Sequence, residues 1–425
     1  MSKQLNNWIC CQIGNTQDYQ IAKALHSNKR LKYLITDAWL SYFSPFNFLP
    51  KILLNTSRSL EHPELSRAKI KAFNDPLLIW EISQKFDNIR GWEYKTTRSS
   101  WWQAQVIKIL SKTKFSEPNI TLYAQSYAAS ELFKYAKHRG WKTVLGQTDP
   151  GIIEEKLLIK ESQIYPQYHN AVSVAPLDYW QKWREECTLA DQIIVNSAWS
   201  AQALIQTGVA SDKIKIIPLA YQATAKNKDF NRTYPQNFSQ QRPLKVAFVA
   251  DVILRHGVAA IFEAMELLTN KPIELWMVGK IGIKIPKALK KNPKIKWFNT
   301  THPHKIKQYY QQADVLLFPS LSDNFGINQL QAQEWQLPII SSKHCANVVK
   351  DKINGLILPE VSAMAIADAL SFCQTHPQQL TAFAQASQQT LIDFERKLVA
   401  EKLGILNYPE YSQKSLIHYQ LGSGG

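Results

Sequence analysis

From Leu244 onward, short β-branched runs alternate with segments of helical period. This is the pattern of parallel βαβ units, because strands buried on both faces read as continuous apolar runs while the covering helices keep one apolar stripe. Strands are expected at Leu244–Ala250, Ile273–Val278, Ile295–Phe298, Asp314–Pro319, Leu337–Ser341 and Gly355–Leu358. Helices are expected at Gly257–Leu268, His304–Gln312, Phe325–Trp335 and Ser362–Gln374, each with apolar residues three and four apart. The first half is less regular, with a short apolar run at Trp8–Ile13 and strands expected at Thr121–Ala124, Thr143–Leu145, Ile193–Val195 and Ile214–Pro218. Between Tyr221 and Pro243 the chain turns polar and loses its periodicity, as interdomain linkers do. The expectation is an α/β protein of two Rossmann-like domains, residues 1–222 and 244–395, joined by a linker at 223–243. The segment at about 396–421 is a candidate to pack back on the first domain. Open α/β sheets bind ligands outside the carboxyl ends of their strands, so chemistry is expected in a cleft between the two.

A chain of 425 residues is too long for one ordinary core, which agrees with two domains. No apolar stretch approaches the ~20 residues of a membrane span, and the apolar run after Met1–Asn7 is too short for a secretory signal, so a cytoplasmic protein is expected. Five cysteines without CxxC spacing argue for packing residues rather than a disulfide framework or a zinc site. Gly422–Gly425, GSGG, reads as an appended linker and not native structure.

The net charge of +16 changes the picture more. The first 150 residues hold 21 Lys and Arg against 11 Asp and Glu, a net +10, which should seek an anionic surface. No basic aromatic RNA motif or helix-turn-helix pattern accompanies it, so nucleic acid is not an expected partner. Peripheral contact with an anionic membrane is an open alternative. In that reading Trp101 and Trp102 enter the headgroup boundary while Lys108, Lys112 and Lys114 face lipid; in the competing one this stretch is a solvated helix face with its Trp residues in the core.

The chemistry-bearing stretch is Ala313–Ser342, ADVLLFPSLSDNFGINQLQAQEWQLPIISS, which reads as strand, loop, helix, strand. Asp323 and Asn324 are N-cap residue types placed before the helix, and Gly326 would let a ligand approach the backbone. The free N–H groups and dipole of such a helix start attract a diphosphate or sugar hydroxyls, although capped helices after strands are common and most bind nothing. Asp149 precedes Pro150-Gly151, where an Asx-turn and a cleft-facing acceptor or sugar contact are equal readings.

This stretch resembles the signature of the family 4 glycosyltransferases, in which an acidic residue precedes GFG and a second follows after seven others, before a small-residue helix and LPVI. Asp323 takes the first acidic place, Gln331 the second, and Phe325, Gly326 and Leu337-Pro338 match. KVAFVADVILRHGVAAIFEAMELL is similar to the family's strand, loop and helix with an R-K-G turn, here Arg255, His256 and Gly257. ELWMVGK, ending at Gly279 and Lys280, and NGLILP match further segments, as do GWKTVLGQTDPGIIEEKLLIKE and Tyr179–Tyr221 in the first half.

The resemblance implies the GT-B fold, with two Rossmann-like domains facing across a cleft. It implies retaining transfer of a hexosyl-type sugar from a nucleotide-diphosphate sugar, UDP-sugar first, to a hydroxyl acceptor such as a glycan or glycolipid, in the manner of bacterial polysaccharide assembly. Asp149 and Arg255 are then the catalytic candidates. Gly14, Asn15, His256, Gly279, Asp323, Asn324, Phe325, Gly326, Ile327 and Gln331 are the donor-binding ones, with the loop His302-Pro303-His304 near the base.

His256 stands where the family's lysine neutralises the leaving diphosphate, and Asp251 where many members have arginine, which leaves Arg255 as the cation and His256 as a partly protonated helper. Gln331 can still bond a ribose diol, without a carboxylate's charge. No D-x-D triplet occurs, so no metal or other cofactor is expected. The alternative is a degenerate binding or scaffolding subunit without turnover.

Overall fold

The computed structural model describes residues 7–40, 62–115, 119–168, 172–223, 230–299 and 303–405. These form two sheets. The first contains β1 (Asn7–Gln12), β2 (Leu31–Thr36), β3 (Ile70–Ala72), β4 (Ile120–Gln125), β5 (Lys142–Gly146), β6 (Gln192–Val195) and β7 (Ile214–Ile216), in the order β3-β2-β1-β4-β5-β6-β7. The second contains β8 (Leu244–Val249), β9 (Ile273–Val278), β10 (Ile295–Phe298), β11 (Val315–Phe318), β12 (Ile339–Ser341) and β13 (Gly355–Ile357), in the order β10-β9-β8-β11-β12-β13. Every strand pairing in both sheets is parallel.

In each sheet the strand order reverses beside its first strand: β1 lies between β2 and β4, and β8 between β9 and β11. The loops leaving the two central strands diverge there and open a crevice at their carboxyl ends. The loops after β1, β4 and β5 and those after β8 and β11 therefore carry the candidate site. Helices cover both faces, and the central strands are largely apolar: β4 is buried at every position, and β8 is buried except at Lys245.

Two segments differ from what the pattern suggests. The described part of the linker, from Phe230 on, is tied to the second half rather than loose. Buried Arg232 donates to the carbonyls of Tyr310 (2.5 Å), Trp335 (2.9 Å) and Gln336 (3.1 Å) and also to that of Ala313. Such anchoring by side chain to backbone has no periodicity to betray it. The C-terminal helix Arg396–Ile405 returns to the first half, where Val399 and Leu403 are buried with Trp8 and Leu25. Residues 406–421 lie outside the described residues.

The basic helix Gly91–Lys112 belongs to the first half's core. Trp102 is 1% exposed among Phe73, Val106 and Leu122, and Trp101 stacks on Trp80 at 5.4 Å. Of the two readings of this stretch, the structure favours the one that places its indoles against the core, with Trp102 buried and Trp101 half-buried. Lys108, Lys112 and Lys114 are exposed. No helix among the described residues is long and apolar enough to cross a membrane.

Candidate active site

The turn after β8 sets the cation. Leu254–His256 forms one 3-10 turn ending on Gly257 in the left-handed region, and the carbonyl of Arg255 accepts from Leu321 N at 2.9 Å, tying this turn to the loop after β11. The guanidinium of Arg255 crosses to the other half and pairs with Glu154 at 3.4 Å. A second positive charge on His256 is disfavoured. It is 7% exposed, its Nδ1 bonds the Asp251 carbonyl at 2.7 Å, and burial first and Arg255 second push its pKa down. A ring that donates from Nδ1 while neutral has only an acceptor lone pair left at Nε2, so the expected helper cation is corrected.

The loop after β11 is built from Asx geometry and cross-cleft bonds. Asp323 Oδ1 accepts from Phe325 N at 3.1 Å, and Asp323 N donates to the His344 carbonyl at 2.8 Å. Asn324 accepts from Ser200 Oγ at 2.9 Å and donates to Asn196 Oδ1 at 2.7 Å, and Gln17 donates to that same oxygen at 2.6 Å. Neither side chain caps the helix. It begins two residues later than expected, at Ile327, because Gly326 takes the capping position with φ 76°. A Cβ on Gly326 would lie 2.7 Å from the Phe318 ring, so the glycine serves close packing within the protein as well as the turn.

Phe325 is turned inward against Leu330, Val348 and Phe394, and Ile327 packs on the same cluster. The Gln331 amide oxygen accepts from Tyr310 at 3.1 Å, which leaves its NH₂ group for other partners. Gly279 follows β9 and donates to the Phe298 carbonyl at 3.0 Å. Gly14 N donates to Asp37 at 2.7 Å, and Asn15 is exposed. His302 lies outside the described residues.

On the facing half, Asp149 Oδ1 accepts from Tyr127 OH at 2.5 Å, Gly151 N at 2.8 Å and Gln147 Nε2 at 3.3 Å. The Gly151 bond is the Asx-turn legible in the sequence; the Tyr127 bond joins the loops after β4 and β5. Burial pushes the Asp149 pKa up, while these bonds and the field of Arg255 oppose it.

Glu154 is the residue that sequence reasoning missed. It stands in the first turn of the helix Ile152–Ile164, with its side chain 16% exposed, and accepts from Ser322 Oγ at 2.8 Å besides pairing with Arg255. Burial raises its pKa to about 7 against the pull of Arg255, with Asp149 and Asp323 adding to the rise. Its signal was an acidic pair just after the Asp149-Pro-Gly turn. Trp199 completes the contact, donating to Ser322 Oγ at 3.1 Å and packing on His344 at 4.4 Å. Asp149, Glu154, Arg255 and Asp323 thus form one electrostatic cluster spanning the cleft. Among the described residues no group of three His, Cys, Asp or Glu is placed to hold a metal ion.

Residues 229–390 match the family model described as Glycosyl transferases group 1. The chain is 25% identical over 207 residues to a D-inositol 3-phosphate glycosyltransferase of Nocardia farcinica, covering 43% of this chain and 44% of that one. It is 20% identical over 189 residues to an uncharacterized 41.2 kDa protein in the cps region of Klebsiella pneumoniae, covering 44% and 52%. The chain thus spans about half the length of these relatives. Solved structures align over nearly all of it. Sucrose-phosphate synthase from Thermosynechococcus elongatus has a TM-score of 0.62 at 14% identity, covering 96% of this chain and 100% of that one. Anabaena Alr3699/HepE in complex with UDP-glucose has 0.58 at 14% identity, covering 94% and 98%. The two parallel sheets and their helices are the GT-B arrangement of two Rossmann-like domains.

Proposed function

We propose that this chain is a glycosyltransferase that moves a sugar from a nucleotide-diphosphate sugar to a hydroxyl acceptor, with retention and without a metal ion. The observation that carries the reading is the Arg255 guanidinium, paired across the cleft with Glu154, which also accepts from Ser322 in the loop leading to the helix Ile327–Glu334. The N–H groups and dipole of that opening favour an anion, and a guanidinium offers a fixed fork of donors to phosphate oxygens. The matching group 1 region covers both. UDP-sugar is the first candidate, since a structure of similar fold binds UDP-glucose.

In this scheme the diphosphate lies between Arg255 and the loop at Asp323–Ile327, and the developing charge on its leaving oxygen is stabilised by preorganised dipoles and the guanidinium. Asp149, held by Tyr127 and Gly151, orients the acceptor hydroxyl, and the departing phosphate oxygen takes its proton on the same face of the sugar. A screen of nucleotide sugars, read by released nucleoside diphosphate, tests the reading. Release from at least one donor in the presence of a hydroxyl acceptor is expected, and none from any donor overturns it.

A second reading has one observation in its favour. With Asp251 and a His256 of lowered pKa where the family carries cations, Arg255 faces the carboxyl groups of Glu154 and Asp149 with little help. A scaffolding subunit would then bind no nucleoside diphosphate in calorimetry, whereas the transferase binds at least one.

Glu154 gives the reading a pH signature. Ionised, it holds Arg255; protonated, it releases the guanidinium to a diphosphate, whose charge does not change near neutrality. Its pKa of about 7 lies above the ordinary carboxylate value, so the competing charge is present above pH 7 and fades below it. Affinity for the nucleotide sugar is expected to rise up to about tenfold between pH 8 and pH 6 by this linkage. Titration calorimetry across that range checks it, and Glu154→Gln should flatten the profile at the tighter end.

A further inference from the structure

Beside Asp149, at the carboxyl ends of β1, β4 and β5, lies a cavity of about 200 Å³. It occupies the β1/β4 reversal of strand order, where an open α/β sheet receives its ligand. Its apolar wall is Cys11, Ile13, Trp102 and Ala128, and its polar wall is Thr16, Gln125, Ser126 and Thr148. Among the described residues no charged side chain lines it. Arg98, one turn before Trp102 on the same helix, is committed to Asp37 and lies 3.7 Å from Glu81.

The polar groups are unequal. Thr16 Oγ1 donates to the Ile13 carbonyl at 3.1 Å, and the Ser126 and Thr148 hydroxyls meet at 3.2 Å. The Gln125 carboxamide, in a residue only 7% exposed, has no hydrogen-bond partner among the described residues. Its amide atoms remain accessible, and in a residue that lines the cavity they offer both a donor and an acceptor to a ligand.

Resting on the transferase reading, we propose that this pocket holds the acceptor, and that the acceptor is an uncharged polyhydroxylated ring, a neutral sugar or glycoside, rather than a phosphorylated or acidic one. A hydroxyl both donates and accepts, so a pair of them satisfies the Gln125 NH₂ and C=O together. A phosphate only accepts, which would leave the Gln125 oxygen facing lone pairs. Nothing in the wall neutralises a phosphate, and Asp149, next in the chain after Thr148, would repel it. The volume is below the ~300–1,000 Å³ of drug-sized sites, which fits a single ring entering from the cleft.

The test uses the full chain and needs no turnover. Saturation-transfer NMR and calorimetry would compare neutral methyl hexosides with the 6-phosphates of the same hexoses. Neutral hexosides are expected to bind at least roughly tenfold tighter than their phosphates. Gln125→Leu is expected to weaken hexoside binding about tenfold, from the unpaired hydroxyls it leaves, and Thr148→Val to weaken it less. Affinity for a nucleoside diphosphate, measured on the same samples, should not change and reports that both variants fold. Phosphates binding as tightly as hexosides, binding of neither, or an unaltered hexoside affinity in Gln125→Leu would each overturn the proposal. If hexosides bind as expected while no donor is turned over, the pocket assignment stands and the transfer reading fails.

Discussion

Arg255→Ala is expected to lower turnover of the nucleotide sugar by roughly 10²–10³-fold, the effect of removing one preorganised donor from a developing oxyanion. Charge balance at the cleft sets this effect. Burial and Arg255 push the pKa of His256 down, and the carboxyl groups of Glu154 and Asp149 share the field of this guanidinium. Removing it takes away the cation proposed to face the diphosphate. Arg255→Lys should recover part of the rate, since an ammonium keeps the charge but not the bidentate fork. Released diphosphate under saturating acceptor is the readout. A wild-type rate in Arg255→Ala would move the phosphate site elsewhere. Asp149→Ala should lower the rate as well, chiefly through acceptor orientation.

The second half of the fold was legible because its strands are buried on both faces and its helices keep one apolar stripe. All six expected strands there appear in the structure, with ends shifted by no more than two residues. β2 and β3 were not legible. β3 has three residues and no buried position, and β2 opens on Leu31, Lys32 and Tyr33, all only half-buried, before its apolar character sets in. The site divides along the same line. Arg255, His256 and the loop at Asp323–Gly326 are close in sequence to recognisable strand ends. The cross-cleft bonds of Asn324 with Asn196 and Ser200, and of Glu154 with Arg255 and Ser322, join residues more than 100 positions apart. Such pairs leave no periodic trace. Trp101 and Trp102 left two readings open for a related reason: a basic helix with aromatic residues has the same composition whether its rings meet lipid or core.

Gly257→Ala is expected to cost about 3 kcal/mol of stability, combining left-handed backbone strain with a steric clash, and to abolish most donor binding in whatever folds. The backbone there has φ +72°, and an added Cβ would stand 2.1 Å from the Pro319 carbonyl oxygen. Pro319 follows β11, so relieving the clash must part the turn carrying Arg255 from the loop carrying Asp323, the two elements proposed to grip the diphosphate. The control is Gly140→Ala. Its φ of +70° imposes nearly the same backbone strain, yet nothing lies within 4 Å of the added methyl, so it should cost only about 1–2 kcal/mol and leave turnover intact. Urea denaturation midpoints and diphosphate affinity, measured for both variants, separate the two contributions. If both variants lost the same stability and both kept donor affinity, the close approach at Gly257 would be incidental to the site. If only Gly257→Ala lost affinity, the contact between the two loops would be what sets the phosphate-binding geometry.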